Sequence, residues 1–195
     1  GEKQITSALY KLTAAGQSHA YYTTNHGEQS LTASLTEALD AQNIDAQPLD
    51  LLTGTIPEDC DLLIINAPTS DFSASDGLVD EISQLQSYLA AGGKLLLTSN
   101  VYAQTPQLDA VLAQFGLSRT EGMVVEGDSS MALYGSAWSL LPGYGTTTES
   151  MALNGVNTST HVMLSVAQGI TVTETEDVTA EPLLNTSAAA YTKAN

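Results

Sequence analysis

The chain has 195 residues, 43% of them hydrophobic, which suits one large domain with a sizeable core. Five Lys/Arg against 22 Asp/Glu leave a formal net charge of −17. Such a surface repels phosphate backbones and anionic lipid headgroups, and so argues against nucleic-acid binding and peripheral membrane attachment. Cys60 is the sole cysteine, which rules out an intramolecular disulfide and a cysteine-based zinc site, and no apolar run reaches membrane-spanning length.

The elements alternate along the chain. Glu2 to Ala14 carries Ile5, Ala8, Leu9 and Leu12 at helical spacing, and Gly16 ends it. Residues 18–24 are aromatic-rich and strand-like. Glu28 to Gln42 reads as a helix with Leu31, Leu35, Ala38 and Leu39 on one face, and Ile44 to Leu49 as a short strand. Asp61 to Ile65 is a continuous apolar run of the kind buried on both faces of a parallel sheet. Ser75 to Ala90 is a helix with Ser75 as N-cap and Gly92-Gly93 as the stop, and Lys94 to Thr98 is a second fully buried strand. Pro106 to Phe115 is helical, with Pro106 near its first position. This alternation predicts an α/β fold with a mostly parallel sheet and helices on both faces.

Beyond Gly116 the pattern loosens. Met123 to Glu126 reads as a short strand, and residues 127–160 as an irregular excursion, Gly/Ser/Thr-rich up to about 150 and containing Trp138, Tyr134 and Tyr144. Thr160 to Val166 fits strand and short helix equally. Ile170 to Thr175 and Thr179 to Leu184 look like closing strands, and Ala188 to Lys193 is a short helix or a frayed tail. With no internal repeat and no linker, residues 1–195 are expected to form a single domain.

Two polar clusters follow strands and precede helical patterns: Asn25-His26-Gly27-Glu28 and Asn66-Ala67-Pro68-Thr69-Ser70-Asp71. In an open parallel sheet, the carboxyl ends of neighbouring strands share one rim, where ligands bind. His26 oriented by Glu28 has the makings of a general base or of a metal site. The structural alternative is that Asn25 or His26 caps the next helix, Gly27 allows a tight turn, and Glu28 sits at a helix N-terminus. That alternative is preferred, because no second histidine lies at ligand spacing and His19 and His161 are isolated. Asn66, Thr69, Ser70 and Asp71 offer donors and acceptors to a polar ligand such as a sugar or peptide, or else satisfy the backbone of their own loop.

Cys60 precedes its strand, between Asp59 and Asp61, which raise a thiol's pKa. No serine elbow and no phosphate-cradling glycine loop occurs. The spacing of Asp59, Asp61, Asp71 and Asp76 is not that of a calcium loop. No catalytic residue, metal or cofactor is expected. Trp138 and its neighbouring tyrosines either form a sugar- or partner-binding surface or pack onto the core, the second being the commoner outcome.

The order Ile5 to Tyr10, His26-Gly27-Glu28, Leu49 to Leu52, Ile56 to Asp71, Tyr88 to Leu95 and Pro182 to Ser187 resembles the extracytoplasmic domain of gliding-motility-type (GldG-like) ABC transporter auxiliary proteins. The resemblance covers most of the chain, more weakly over 120–160. It implies a fold similar to class I glutamine-amidotransferase-like and flavodoxin-like domains, no established catalytic activity, and a membrane-anchored subunit outside the bacterial cytoplasmic membrane. Family members flank this region with transmembrane helices, so the present chain is expected to be a piece of a longer protein whose membrane contact lies in other segments. The implied partners are the transporter's permease and ATPase subunits, or an extracellular small molecule or glycan. A solute- or glycan-binding module lined by Asn66, Thr69 and the aromatics of 134–144 is one alternative. The other is a degenerate or unrecognised amidotransferase-like hydrolase, which requires His26, Glu28 and Asp71 to converge.

Overall fold

The computed structural model describes residues 16–74, 79–146, 161–175 and 178–194. The helix expected over Glu2 to Ala14 lies outside them. The chain forms two compact units, Gly1–Leu108 and Asp109–Asn195.

The first unit is built on a four-stranded parallel sheet comprising β1 (Ser18–Thr23), β2 (Ile44–Leu49), β3 (Cys60–Asn66) and β4 (Leu95–Thr98), in the order β2-β1-β3-β4. Helix α1 (Ala33–Ala41) connects β1 to β2, and α2 (Glu81–Ala90) connects β3 to β4. The two crossovers run in opposite directions across the sheet. Because such crossovers are right-handed, the helices fall on opposite faces. The core agrees: Leu35 and Leu39 of α1 pack with Ala20, Tyr22, Ile44, Ala46, Leu62 and Ile64. Leu63 and Ile65 alternate to the other face and are completely buried, and Ile82 and Leu85 of α2 are buried one helical turn apart. The α/β expectation, with a parallel sheet and helices on both faces, holds.

Several details differ from the sequence reading, among them the start of β3, which includes Cys60 and does not follow it. The helix expected from Glu28 begins only at Ala33, where the Thr32 hydroxyl accepts the Leu35 N–H at 3.2 Å. Residues 29 and 30 are held instead by Asn66, whose side chain donates to the Gln29 and Ser30 carbonyls. The cap is therefore Thr32, not Asn25 or His26, and Glu28 is not at a helix N-terminus. Helix α2 begins at Glu81 with Asp80 as its cap, accepting the Ser83 N–H at 2.8 Å, while Ser75 lies outside the described residues. Strand β4 is an edge strand rather than a fully buried one, with Leu96 39% exposed: among the described residues, no strand pairs beyond it in this sheet.

Helix α3 (Pro106–Ala113) follows β4 and is slightly shorter than the periodicity suggests. The second unit is made of two-stranded antiparallel ribbons: β5 (Leu117–Arg119) with β10 (Ile170–Val172), β6 (Met123–Val125) with β12 (Tyr191–Lys193), β7 (Ser139–Leu140) with β9 (Leu164–Ser165), and β8 (Gly143–Tyr144) with β11 (Leu184–Asn185). Within Ala188 to Lys193, the last three residues thus form a strand in place of the expected short helix or frayed tail. Buried Glu126, just past β6, accepts the Asp128 N–H and both the N–H and hydroxyl of Ser187, which ties the turn after β6 to the segment before β12.

Candidate functional site

The order β2-β1-β3-β4 puts the topological switch point between β1 and β3, where the loops leaving the two strands diverge. The loop after β1 carries Asn25 to Glu28, and the loop after β3 carries Ala67 to Asp71. The two sequence clusters therefore meet on one rim, as their spacing suggested.

They meet by bonding to each other. The His26 carbonyl accepts the Thr69 and Ser70 N–H groups, both at 2.9 Å, and the Thr69 hydroxyl at 3.4 Å. The Gln29 N–H donates to the Asn66 carbonyl at 2.9 Å, and the Asn66 side-chain oxygen accepts the Thr98 hydroxyl at 2.8 Å. Gly27 adopts φ +69°, and a Cβ there would collide with the Thr69 hydroxyl. Glycine thus serves both the turn and the close approach. Ala67 is held at φ +49° beside the same seam, its N–H bonded to the Thr98 carbonyl. The crevice that open parallel sheets offer to ligands is, at this position, stitched shut by the loops that would line it.

Beneath the seam lies a buried charged cluster. The His26 ring is stacked on Phe72, with centroids 4.0 Å apart and planes at 11°. Its Nε2 lies 3.0 Å from Glu81 Oε2, and its Nδ1 lies 3.4 Å from Glu28 Oε1. His26 is 4% exposed and Glu81 0%. Glu81 Oε2 also accepts the Ser73 N–H and hydroxyl, both at 2.9 Å. Glu28 Oε2 accepts the backbone N–H of His26 at 2.7 Å.

Burial by itself disfavours the imidazolium, but the hydrogen bonds and charges of Glu28 and Glu81 outweigh it, so the His26 pKa is raised. Burial likewise works against ionised Glu28, and the bonds from His26, Thr23 and the backbone reverse it, lowering its pKa to about 2. His26 thus lies between two carboxyl groups in a desolvated cluster that favours the charged form of the ring relative to a free imidazole.

In this constellation the imidazole is not placed to activate a nucleophile. The ring is out of reach of solvent; of the nearby hydroxyls, that of Ser73 donates to Glu81 and that of Thr23 acts on Glu28, not on the histidine. A nucleophile needs the reverse order, hydroxyl to imidazole to carboxylate. Asp71 does not converge with His26 and Glu28. Its carboxylate accepts the N–H groups of Phe72, Gln107 and Leu108 and so caps the start of α3. The three-residue convergence that the hydrolase alternative requires is absent. Among the described residues, no group of three His, Cys, Asp or Glu side chains is arranged to hold a metal ion.

Of the residues singled out in the sequence, His26 and Glu28 come together, Asn66 and Thr69 bind the two loops, Ser70 contributes its N–H to the seam, and Asp71 is a cap. His19 lies apart, with its N–H donated to Asp61, and His161 is exposed in the second unit. Glu81, Phe72, Ser73 and Thr23 were missed. Glu81 fell inside the helix expected from Ser75 and was not singled out. Its burial becomes legible only when the helix start moves to Asp80.

Cys60 lies at the opposite, amino-terminal end of the sheet, beside a groove of about 540 Å³ that Tyr88, Gln84 and Gly93 help to line. Burial raises its pKa and the charges of Asp59 and Asp61 add to that, while a hydrogen bond to Tyr88 opposes them. In the second unit Tyr134, 97% exposed, and Trp138, 55%, do not pack inward as the commoner outcome would have it, whereas Tyr144 is half-buried.

No known protein-family model matches the sequence, and no curated protein matches it. Among solved structures, the chain is similar to PurLQS from Thermotoga maritima at 12% identity, covering 88% of this chain and 78% of that one with a TM-score of 0.43. A likeness of that size carries no argument about activity.

Proposed function

We propose that this chain is the non-catalytic extracytoplasmic domain of a membrane-anchored ABC-transporter auxiliary protein, and that its parallel-sheet rim docks against the transporter's membrane subunits. The observation that carries the non-catalytic reading is the internal engagement of His26 and Glu28. Both are desolvated and paired within the fold, and among the described residues no hydroxyl or thiol is hydrogen-bonded to the imidazole. The transporter assignment is supported by the ordered resemblance in sequence, whose two central clusters are the ones that build the rim. The acidic surface suits a partner with basic extracytoplasmic loops better than an anionic ligand.

The test is isolation of the full-length protein from its native membrane in mild detergent. Co-isolation of an ABC permease and ATPase is expected. A protein recovered without them, or recovered from the cytoplasmic fraction, overturns the reading. A second reading, a module for neutral glycans, is favoured by the exposure of Tyr134 and Trp138, since sugars stack on aromatic rings. Trp138 is the only tryptophan, so its fluorescence reports such binding directly. An emission unchanged by neutral oligosaccharides argues against this second reading.

A further inference from the structure

We propose that His26 is a pH-sensitive latch, whose protonated ring keeps the seam between the β1 and β3 loops closed and whose deprotonation releases it. The proposal does not depend on which partner the rim meets. It rests on the double attachment of one residue. The His26 side chain is fixed to α2 through Glu81 and stacked on Phe72, while its carbonyl holds the Thr69 and Ser70 amides. Whatever displaces the ring therefore pulls on the seam.

Among the described residues, the titratable groups facing the ring are Glu28 from its own loop and Glu81 from the first turn of α2. From the β3 loop it meets Phe72, and Ser73 reaches it only through Glu81. Asp71, next to Phe72, is turned away to α3. A protonated imidazole has two N–H groups for the two carboxylates. A neutral one has a single N–H, and Nε2, 3.0 Å from Glu81, is the closer contact, so the looser approach of Nδ1 to Glu28 at 3.4 Å, outside hydrogen-bond geometry, loses the attraction that holds it.

Glu81 is fixed by its helix and by Ser73. Glu28 sits on the short loop Asn25 to Glu28, whose Asn25 and Gly27 are exposed, so relief comes from outward movement of that loop. The movement breaks the bonds from Thr69 and Ser70. It uncovers the crevice at the switch point, lined by Asn66, Thr69 and the loop backbone.

The sign follows from linkage. A group held more basic when closed than when open favours the closed state at low pH, and that preference disappears as pH rises through its titration. Between the two plateaus, the opening constant changes about tenfold for each pH unit separating the closed and open titrations.

The experiment follows two signals in the intact chain by NMR as pH is raised. One is the ring nitrogen shifts of His26; the other is hydrogen-exchange protection of the Thr69 and Ser70 amides relative to Ile64. Protection of both amides is expected to fall in one step that coincides with the ring titration, at a midpoint above that of an ordinary histidine, about 6.5. Glu81→Gln is expected to move both signals together to lower pH. Protection that stays flat through the ring titration overturns the latch. So does a ring midpoint at or below the ordinary value, or a ring still protonated where base unfolds the protein. The unsubstituted chain alone decides the matter if the variant does not fold.

Discussion

Replacing His26 with alanine tests how the buried cluster is held. The substitution removes the imidazole that lies between Glu28 and Glu81 and is stacked on Phe72. Breaking a buried pair by deleting one partner costs about 3–5 kcal/mol, because the remaining charge stays desolvated. Here the lower end applies. Glu81 keeps two donors from Ser73, and Glu28 keeps the backbone N–H of residue 26, which alanine preserves. A loss of about 3 kcal/mol is expected, with His26→Ala and Glu81→Gln together costing less than their sum by at least about 1 kcal/mol, since each relieves the charge the other strands. His161→Ala, at an exposed position, is the control and should change stability by no more than about 0.5 kcal/mol. Urea unfolding near pH 6 followed by far-ultraviolet circular dichroism measures these differences. Tryptophan fluorescence does not serve, since Trp138 reports on the second unit. A loss below about 1 kcal/mol for His26→Ala, or strict additivity in the double variant, refutes the buried-ion account.

Other expectations follow from the same geometry. Glu28, lowered from 4.5 to about 2, contributes stability that is present above its unfolded value and lost as pH falls toward about 2, so Glu28→Gln should flatten the acid limb of a stability–pH curve. An unchanged acid limb counts against the pairing. Asp71→Ala should cost about 1 kcal/mol through loss of the α3 cap, measured by urea midpoint at constant slope. A neutral outcome would show that the cap is dispensable. Gly27→Ala, forced into φ +69° against the Thr69 hydroxyl, should destabilise by more than about 1 kcal/mol in the same assay. Cys60, its pKa raised mainly by burial, should react with a thiol reagent at pH 8 more slowly than a small free thiol. Equal or faster reaction contradicts that.

Much of the first unit was legible because its signals are local. The apolar run Asp61 to Ile65 could only be a strand buried on both faces, and the alternation around it dictated a parallel sheet. Helix starts were less legible, because they are set by distant partners. The Asn66 side chain competes for the carbonyls of Gln29 and Ser30 and postpones α1 to Ala33. The meeting of the two clusters followed from strand order, but their mode of meeting did not. Whether a rim is open or sealed depends on backbone bonds between residues some forty positions apart, such as Thr69 to His26, which leave no periodic trace. Glu81 was invisible for a related reason: a buried carboxylate is identified by what surrounds it, and its partners lie 8 and 55 residues away. The short ribbons of the second unit are two or three residues long, too brief for alternation to register.

The two edges of the parallel sheet are not equivalent. The register fixed by the Ser18 N–H to the Asn43 carbonyl and the Thr24 N–H to the Leu49 carbonyl turns the backbone groups of Ile44, Ala46 and Pro48 to the outside of β2. The last of these has no N–H to offer. On β4 the corresponding outward groups belong to Leu95 and Leu97, where every donor is intact. The sheet therefore has a growing side and a blocked side. Strand accretion, whether from a partner in the native state or from another molecule during misfolding, is directed to β4, so a charged substitution at exposed Leu96 is the place to improve solution behaviour without burying a charge.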